Sequence, residues 1–116
     1  MNLLRFKAPA LIELNTPSAA PGQFTIPLTR FIRVVNAFGY ASEAAEDSTF
    51  SLFALGHGTR YEITKPTPLL KSTTTYITEL DPEMTTLSAG WTLGVDIQGA
   101  AKAHVYIWVI PLPTPA

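Results

Sequence analysis

His57 and His104 are the chain's only imidazoles, so a metal site or a general base would have to start from one of them. Gly56 and Gly58 flank His57 in a loop that should expose the ring. That suits a ligand, but no second histidine or carboxylate stands beside it at metal-ligand spacing. His104 opens an apolar run on the face of Tyr106 and Trp108, where an imidazole packs more readily than it binds metal. The His-x-His pair of cupin-type metalloenzyme barrels is missing. Only a fold that brings both histidines together beside a carboxylate would make a metal centre of them.

Two groups of acids, Glu43, Glu46 and Asp47, then Glu79, Asp81 and Glu83, lack the spacing and central glycine of a helix-loop-helix calcium site. They read as solvated turns. A glycosidase pair can be distant in sequence, yet such enzymes usually build their cleft from a longer chain. None of Ser18, Ser42, Ser48, Ser51, Ser72 and Ser88 lies in a Gly-x-Ser-x-Gly elbow. Gly56 and Gly58 are not followed by the Gly-Lys-Thr or Gly-Lys-Ser of a phosphate-cradling loop. With no cysteine, thiol catalysis, thiolate metal sites and disulfides are excluded. The residues therefore predict no enzyme, no catalytic residue, no metal and no cofactor.

The elements that would position these groups read as strands. Short runs of Thr, Val, Ile, Phe and Tyr between proline and glycine marks predict Leu3–Lys7, Leu11–Leu14, Gln23–Leu28, Arg30–Phe38, Thr49–Leu55, Thr59–Thr64, Thr73–Leu80, Trp91–Gln98 and Ala103–Ile110. In Trp91–Gln98, Trp91, Leu93, Val95 and Ile97 fall on one face and Thr92, Gly94, Asp96 and Gln98 on the other, the period of a half-buried strand. Ala103–Ile110 is apolar on both faces: Val105, Ile107 and Val109 on one, Tyr106, Trp108 and Ile110 on the other. One face is core, so the second must meet a loop, the N-terminal arm or another subunit.

Gly56-His57-Gly58 predicts a hairpin with a three-residue loop and a left-handed glycine, and Asp81-Pro82-Glu83 and Gln98-Gly99-Ala100 predict further turns. Only Tyr40–Asp47 has helical composition, with Ser42 as its N-cap, enough for a turn or two. Asn15–Gly22 and Lys65–Pro68 read as extended connectors, and the prolines of Pro111–Ala116 keep that end out of a central ladder. The sum is an all-β fold. It is a single antiparallel β-sandwich over 1–116, jelly-roll or immunoglobulin-like, with an N-terminal arm at 1–9 and an extended tail at 111–116.

Charged residues make up 15% of the chain against roughly 25% in ordinary soluble domains, so a partner is expected to cover part of the surface. A net charge of −1 without a basic block argues against nucleic acid. Arg5, Lys7 and Glu13 interrupt the first fourteen positions, so no secretory signal is expected. The longest apolar run, Val105–Leu112, falls far short of the about 20 residues of a membrane span, so no membrane partner is expected. Tyr40, Tyr61, Tyr76, Tyr106 and Trp108 could form a stacking platform for sugar rings, or serve core and interface packing.

With Met1, no cysteine, Thr- and Ala-rich strands, low charge and proline-bearing ends, the chain resembles the small β-rich structural proteins of tailed bacteriophages, capsid decoration or cement proteins above all. The resemblance is one of texture over the whole length and carries over no motif. It implies a virion protein made in the host cytoplasm and bound on the capsid surface, a homo-oligomer of trimeric type that bridges subunits of the major capsid protein. The residues expected at its interfaces are Tyr106, Trp108, Ile110, Leu112, Leu3, Leu4 and Phe6. The alternative is a carbohydrate- or receptor-binding module, such as part of a phage tail fibre.

Overall fold

The structure is a computed structural model describing residues 3–44 and 47–113. The hairpin β1 (Leu4–Ala8) and β2 (Leu11–Asn15) begins the larger sheet, and β3 (Gly22–Pro27) crosses to the smaller one. The long strand β4 (Ile32–Ala44) returns, and a second hairpin, β5 (Thr49–Gly56) and β6 (Thr59–Glu62), crosses again with β7 (Thr67–Pro68). Short strands β8 (Thr75–Tyr76) and β9 (Thr86–Leu87) flank β4, after which β10 (Thr92–Gln98) and β11 (Ala101–Pro111) take the centres of the smaller and larger sheets.

The strand orders are β1-β2-β11-β4-β8, with β9 also on β4, and β3-β10-β5-β6, with β7 also on β5. Every pairing between these strands is antiparallel. The pairs β2 with β11, β3 with β10, β4 with β8 and β9, and β5 with β6 nest one inside the next and alternate between sheets. A long hairpin rolled on itself gives that order, which is jelly-roll connectivity rather than the immunoglobulin alternative. The radius of gyration, 13.5 Å, matches the about 13 Å expected of a folded chain of this length.

Ile12, Leu14, Val105 and Ile107 of the larger sheet meet Phe50, Leu52, Leu93, Val95 and Ile97 of the smaller, all buried. The alternation of β10 and β11 holds, with Leu93, Val95, Ile97, Val105, Ile107 and Val109 inside. Gly39 has no side chain because the Phe50 ring from the other sheet fills its place, 3.1 Å from where a Cβ would stand.

Five expectations are corrected. Tyr40–Asp47 forms no helix among the described residues: β4 runs on to Ala44, because pairing with β11 through Ala101 outweighs the helical bias of Ala and Glu. Residues 45 and 46 lie outside the described residues. Leu4–Ala8 is no free arm but an edge strand bonded to β2. At the other end β11 includes Pro111, and the Leu112 N–H donates to the Phe31 carbonyl at 2.9 Å; of the expected tail, 114–116 lie outside the described residues. The β5 to β6 loop has two residues rather than three, since Gly56 pairs with Thr59, and both His57 (φ 52°) and Gly58 (φ 75°) are left-handed, as a tight primed turn requires. Of Thr73–Leu80 only Thr75–Tyr76 forms a strand, with the Ile77 N–H still donating to the Ala37 carbonyl at 2.9 Å.

Candidate functional site

The two outer faces differ. On the smaller sheet Phe53 lies across Gly94, where a Cβ would fall within 2.2 Å of its ring, and the Arg60 guanidinium caps the ring at 4.0 Å. Arg60 donates to Asp96 at 3.0 Å and to Glu62 at 2.6 Å, and Gln98 donates to Asp96 at 2.8 Å. Around Phe53 this face is closed by its own side chains, so Gly94 and Asp96 are buried although they point away from the core, while Leu55 near the hairpin end of the same face is 38% exposed.

The outer face of the larger sheet is open. Strand pairing lays Tyr76, Phe38, Tyr106, Glu13 and Arg5 in one row across it, since directly opposed residues share a face. Phe38 stacks on Tyr106 (5.2 Å between centroids, 24° between planes) and tilts against Tyr76 (5.3 Å, 43°). Tyr76 is 57% exposed, Trp108 and Ile110 41% each, and Val35 39%. Val35 is an extra residue, because Trp108 opposes Asn36 while Val109 opposes Val34.

Of the residues expected at an interface, Trp108 and Ile110 are exposed on this face, and Tyr106 and Leu112 are half-buried. Leu3 and Phe6 are half-buried against the core. Leu4 is a correction: it is fully buried opposite Leu14, on the inner face of β1, and has no side chain to offer a partner. The first strand does not cover the aromatic face either, because it adds to the sheet beside β2 instead of crossing it.

Glu13 is a carboxylate only 4% exposed on this face, paired with Arg5 at 3.2 Å and Lys7 at 3.4 Å. Burial opposes its ionisation, but the Arg5 hydrogen bond and the Lys7 charge outweigh that and hold its carboxyl below the ordinary 4.5. Burial first, then the neighbouring Tyr40 and Glu13, raise the Tyr106 hydroxyl above its ordinary 10.0.

Toward the start of β11 the next row holds Tyr40, His104 and Asn15. His104 Nδ1 lies 2.6 Å from Asn15 Oδ1 and its Nε2 lies 3.2 Å from Ser42 Oγ, with the Tyr40 ring stacked on the imidazole at 4.8 Å. Ser42 is the extra residue of a second bulge: Lys102 opposes Glu43 while Ala103 opposes Ala41. Burial, then Lys102, lower the His104 pKa from 6.5 against the opposing pull of Glu13.

His57 stays on the hairpin of the smaller sheet, edge-on to Trp91 at 5.6 Å, while Trp91 covers Gly56 and stacks on Tyr61 at 5.6 Å. The fold does not bring His57 to His104, and no group of three or more His, Asp or Glu able to hold a metal occurs among the described residues. Asp81 Oδ1 accepts the Glu83 N–H at 2.9 Å, the turn read from Asp81-Pro82-Glu83. Asn15 and Ser42 carry no local signal of their environment, because Asn15 begins a connector in the sequence and Ser42 sits in the helical-looking stretch. No protein-family model matches the chain, and no curated protein matches it.

Proposed function

We propose that the chain is a structural protein of a virus particle, a decoration or cement protein that binds a preformed capsid shell and bridges neighbouring subunits of the major capsid protein, assembling with itself as a homotrimer. The observation that carries this reading is the contrast between the two outer faces: Phe53 is sealed under Arg60, whereas Trp108, Ile110, Val35 and Tyr76 stand open on the other sheet. Burying a large apolar side chain is worth about 1.5–3 kcal/mol when complete. Several half-covered ones on a flat sheet therefore favour association, and many weak contacts repeated over a symmetric shell add by avidity. Jelly-roll sandwiches serve in capsids and in lectins alike, so the site rather than the fold decides.

The carbohydrate reading needs ring faces laid flat toward solvent. Phe38 and Tyr106 turn theirs toward each other, which suits packing against a surface better than cradling a pyranose. The test is the composition of gradient-purified virus particles from the source that encodes the chain. Mass spectrometry should find it in fixed ratio to the major capsid protein, with gold-labelled antibody on the shell. Labelling confined to tail fibres, or absence from particles, overturns the proposal.

A further inference from the structure

Ser42, His104 and Asn15 come from β4, β11 and β2, and their side chains form one hydrogen-bonded line on the outer face of the larger sheet. The proton positions follow from the partners. A carbonyl oxygen only accepts, so the imidazole must donate from Nδ1 to Asn15 Oδ1, and this leaves Nε2 as a lone pair aimed at Ser42. The Ser42 hydroxyl donates to Nε2 at 3.2 Å in preference to the Lys102 carbonyl at 3.5 Å. A hydroxyl, a base within hydrogen-bond reach and a third group fixing the base's tautomer are the parts of an activated nucleophile.

We propose that Ser42 is a nucleophile that accepts small acyl groups from carboxylic esters, with His104 as its general base and Asn15 as the residue that positions the imidazole. Ser42 Oγ bonds to the acyl carbon as its proton passes to His104 Nε2. The carbon–oxygen bond to the alcohol then breaks, and His104 returns the proton to the leaving oxygen. In the second half His104 takes a proton from water, the hydroxide bonds to the acyl carbon, and Ser42 leaves with its proton restored. Lys102 pairs with Glu43 beside the bulge that carries Ser42. The same lysine and burial keep His104 neutral, and so basic, at neutral pH, while Glu13 and the stacked Tyr40 are the other groups facing it. Trp108 lies four residues along β11 from His104, about 13 Å away by strand rise.

The probes are a fluorophosphonate and p-nitrophenyl acetate, read as intact mass and as the modified peptide. The wild-type chain should be labelled at Ser42, and Ser42→Ala should not. His104→Gln should slow labelling about 100-fold. Asn15→Ala should slow it too, whereas Asn15→Asp, which keeps the acceptor, should restore it. In the wild type the rate should rise with pH to a plateau reached below neutrality, as His104 loses its proton. Labelling of Ser42 no faster than that of other hydroxyls, equal rates in His104→Gln, or a rate still climbing at alkaline pH would each overturn the assignment.

Discussion

Gly94 is a glycine because the Phe53 ring occupies the position of its side chain, with Arg60 holding the ring down from above. Gly94→Ala should therefore lift both, costing about 1–3 kcal/mol by overpacking, and Phe53→Leu should relieve part of that cost. Denaturant midpoints of the two single variants and the double should give less than additive losses. Two other residues set the response to acid. His104 has its pKa depressed below 6.5 in the folded chain, so as pH falls through that value the unfolded chain takes up the proton first and stability drops. Glu13, depressed below 4.5, has the same sign in a lower window: its contribution is present above 4.5 and disappears as pH falls through its folded value. Urea midpoints measured from about pH 7.5 down to about pH 3 should fall in these two stages. His104→Gln should remove the upper stage. Glu13→Gln should remove the lower and cost about 1 kcal/mol at neutral pH, a modest figure because Arg5 and Lys7 are open to solvent. An upper stage that persists in His104→Gln would mean another group titrates there.

Among the elements, β10 shows what alternation can decide. Ile97→Asp places a charge among Phe50, Val95 and their neighbours, with no partner for it, and should abolish the cooperative thermal transition. Thr25→Gln on the exposed side of β3 should change stability by no more than about 0.5 kcal/mol. A native-like melt of the Ile97 variant would show that the core is not where the pattern of Trp91–Gln98 puts it. That strand and β11 were legible because their period of two is unbroken. Of the long strand β4 only the part up to Phe38 was, because the bulge at Ser42 shifts the period by one residue and the Ala and Glu of the second half favour a helix when read alone. The two-residue strands β7 and β9 have no pattern of their own and exist only by pairing with β5 and β4. The Ser42, His104 and Asn15 line was hidden for a related reason: its members are 62 and 89 positions apart, and only the registers of β11 against its two neighbours bring them together.

At the scale of the molecule, the open sheet face makes a demand that the single chain does not meet. Glu13, Asp96 and Arg60 find partners within the chain, whereas on the open face Val35, Tyr76, Trp108 and Ile110 stay outward as apolar surface, beside the exposed Arg33 opposite Ile110. Because these side chains stand on the paired strands β4, β8 and β11, they cannot fold back to shield one another without breaking the ladder. A second copy or a shell subunit can shield them without that cost. Light scattering after size exclusion should accordingly give a mass above that of one chain, rising with concentration, and Trp108→Asp combined with Ile110→Asp should return it to one. The double variant should melt at or near the wild-type temperature when both are monomeric by dilution, since neither side chain belongs to the buried core. A wild-type chain that stays monomeric at high concentration, yet binds capsid shells only while Trp108 and Ile110 are intact, would assign this face to the shell instead of to another copy. Indifference of both mass and shell binding to the double substitution would remove the face from assembly altogether.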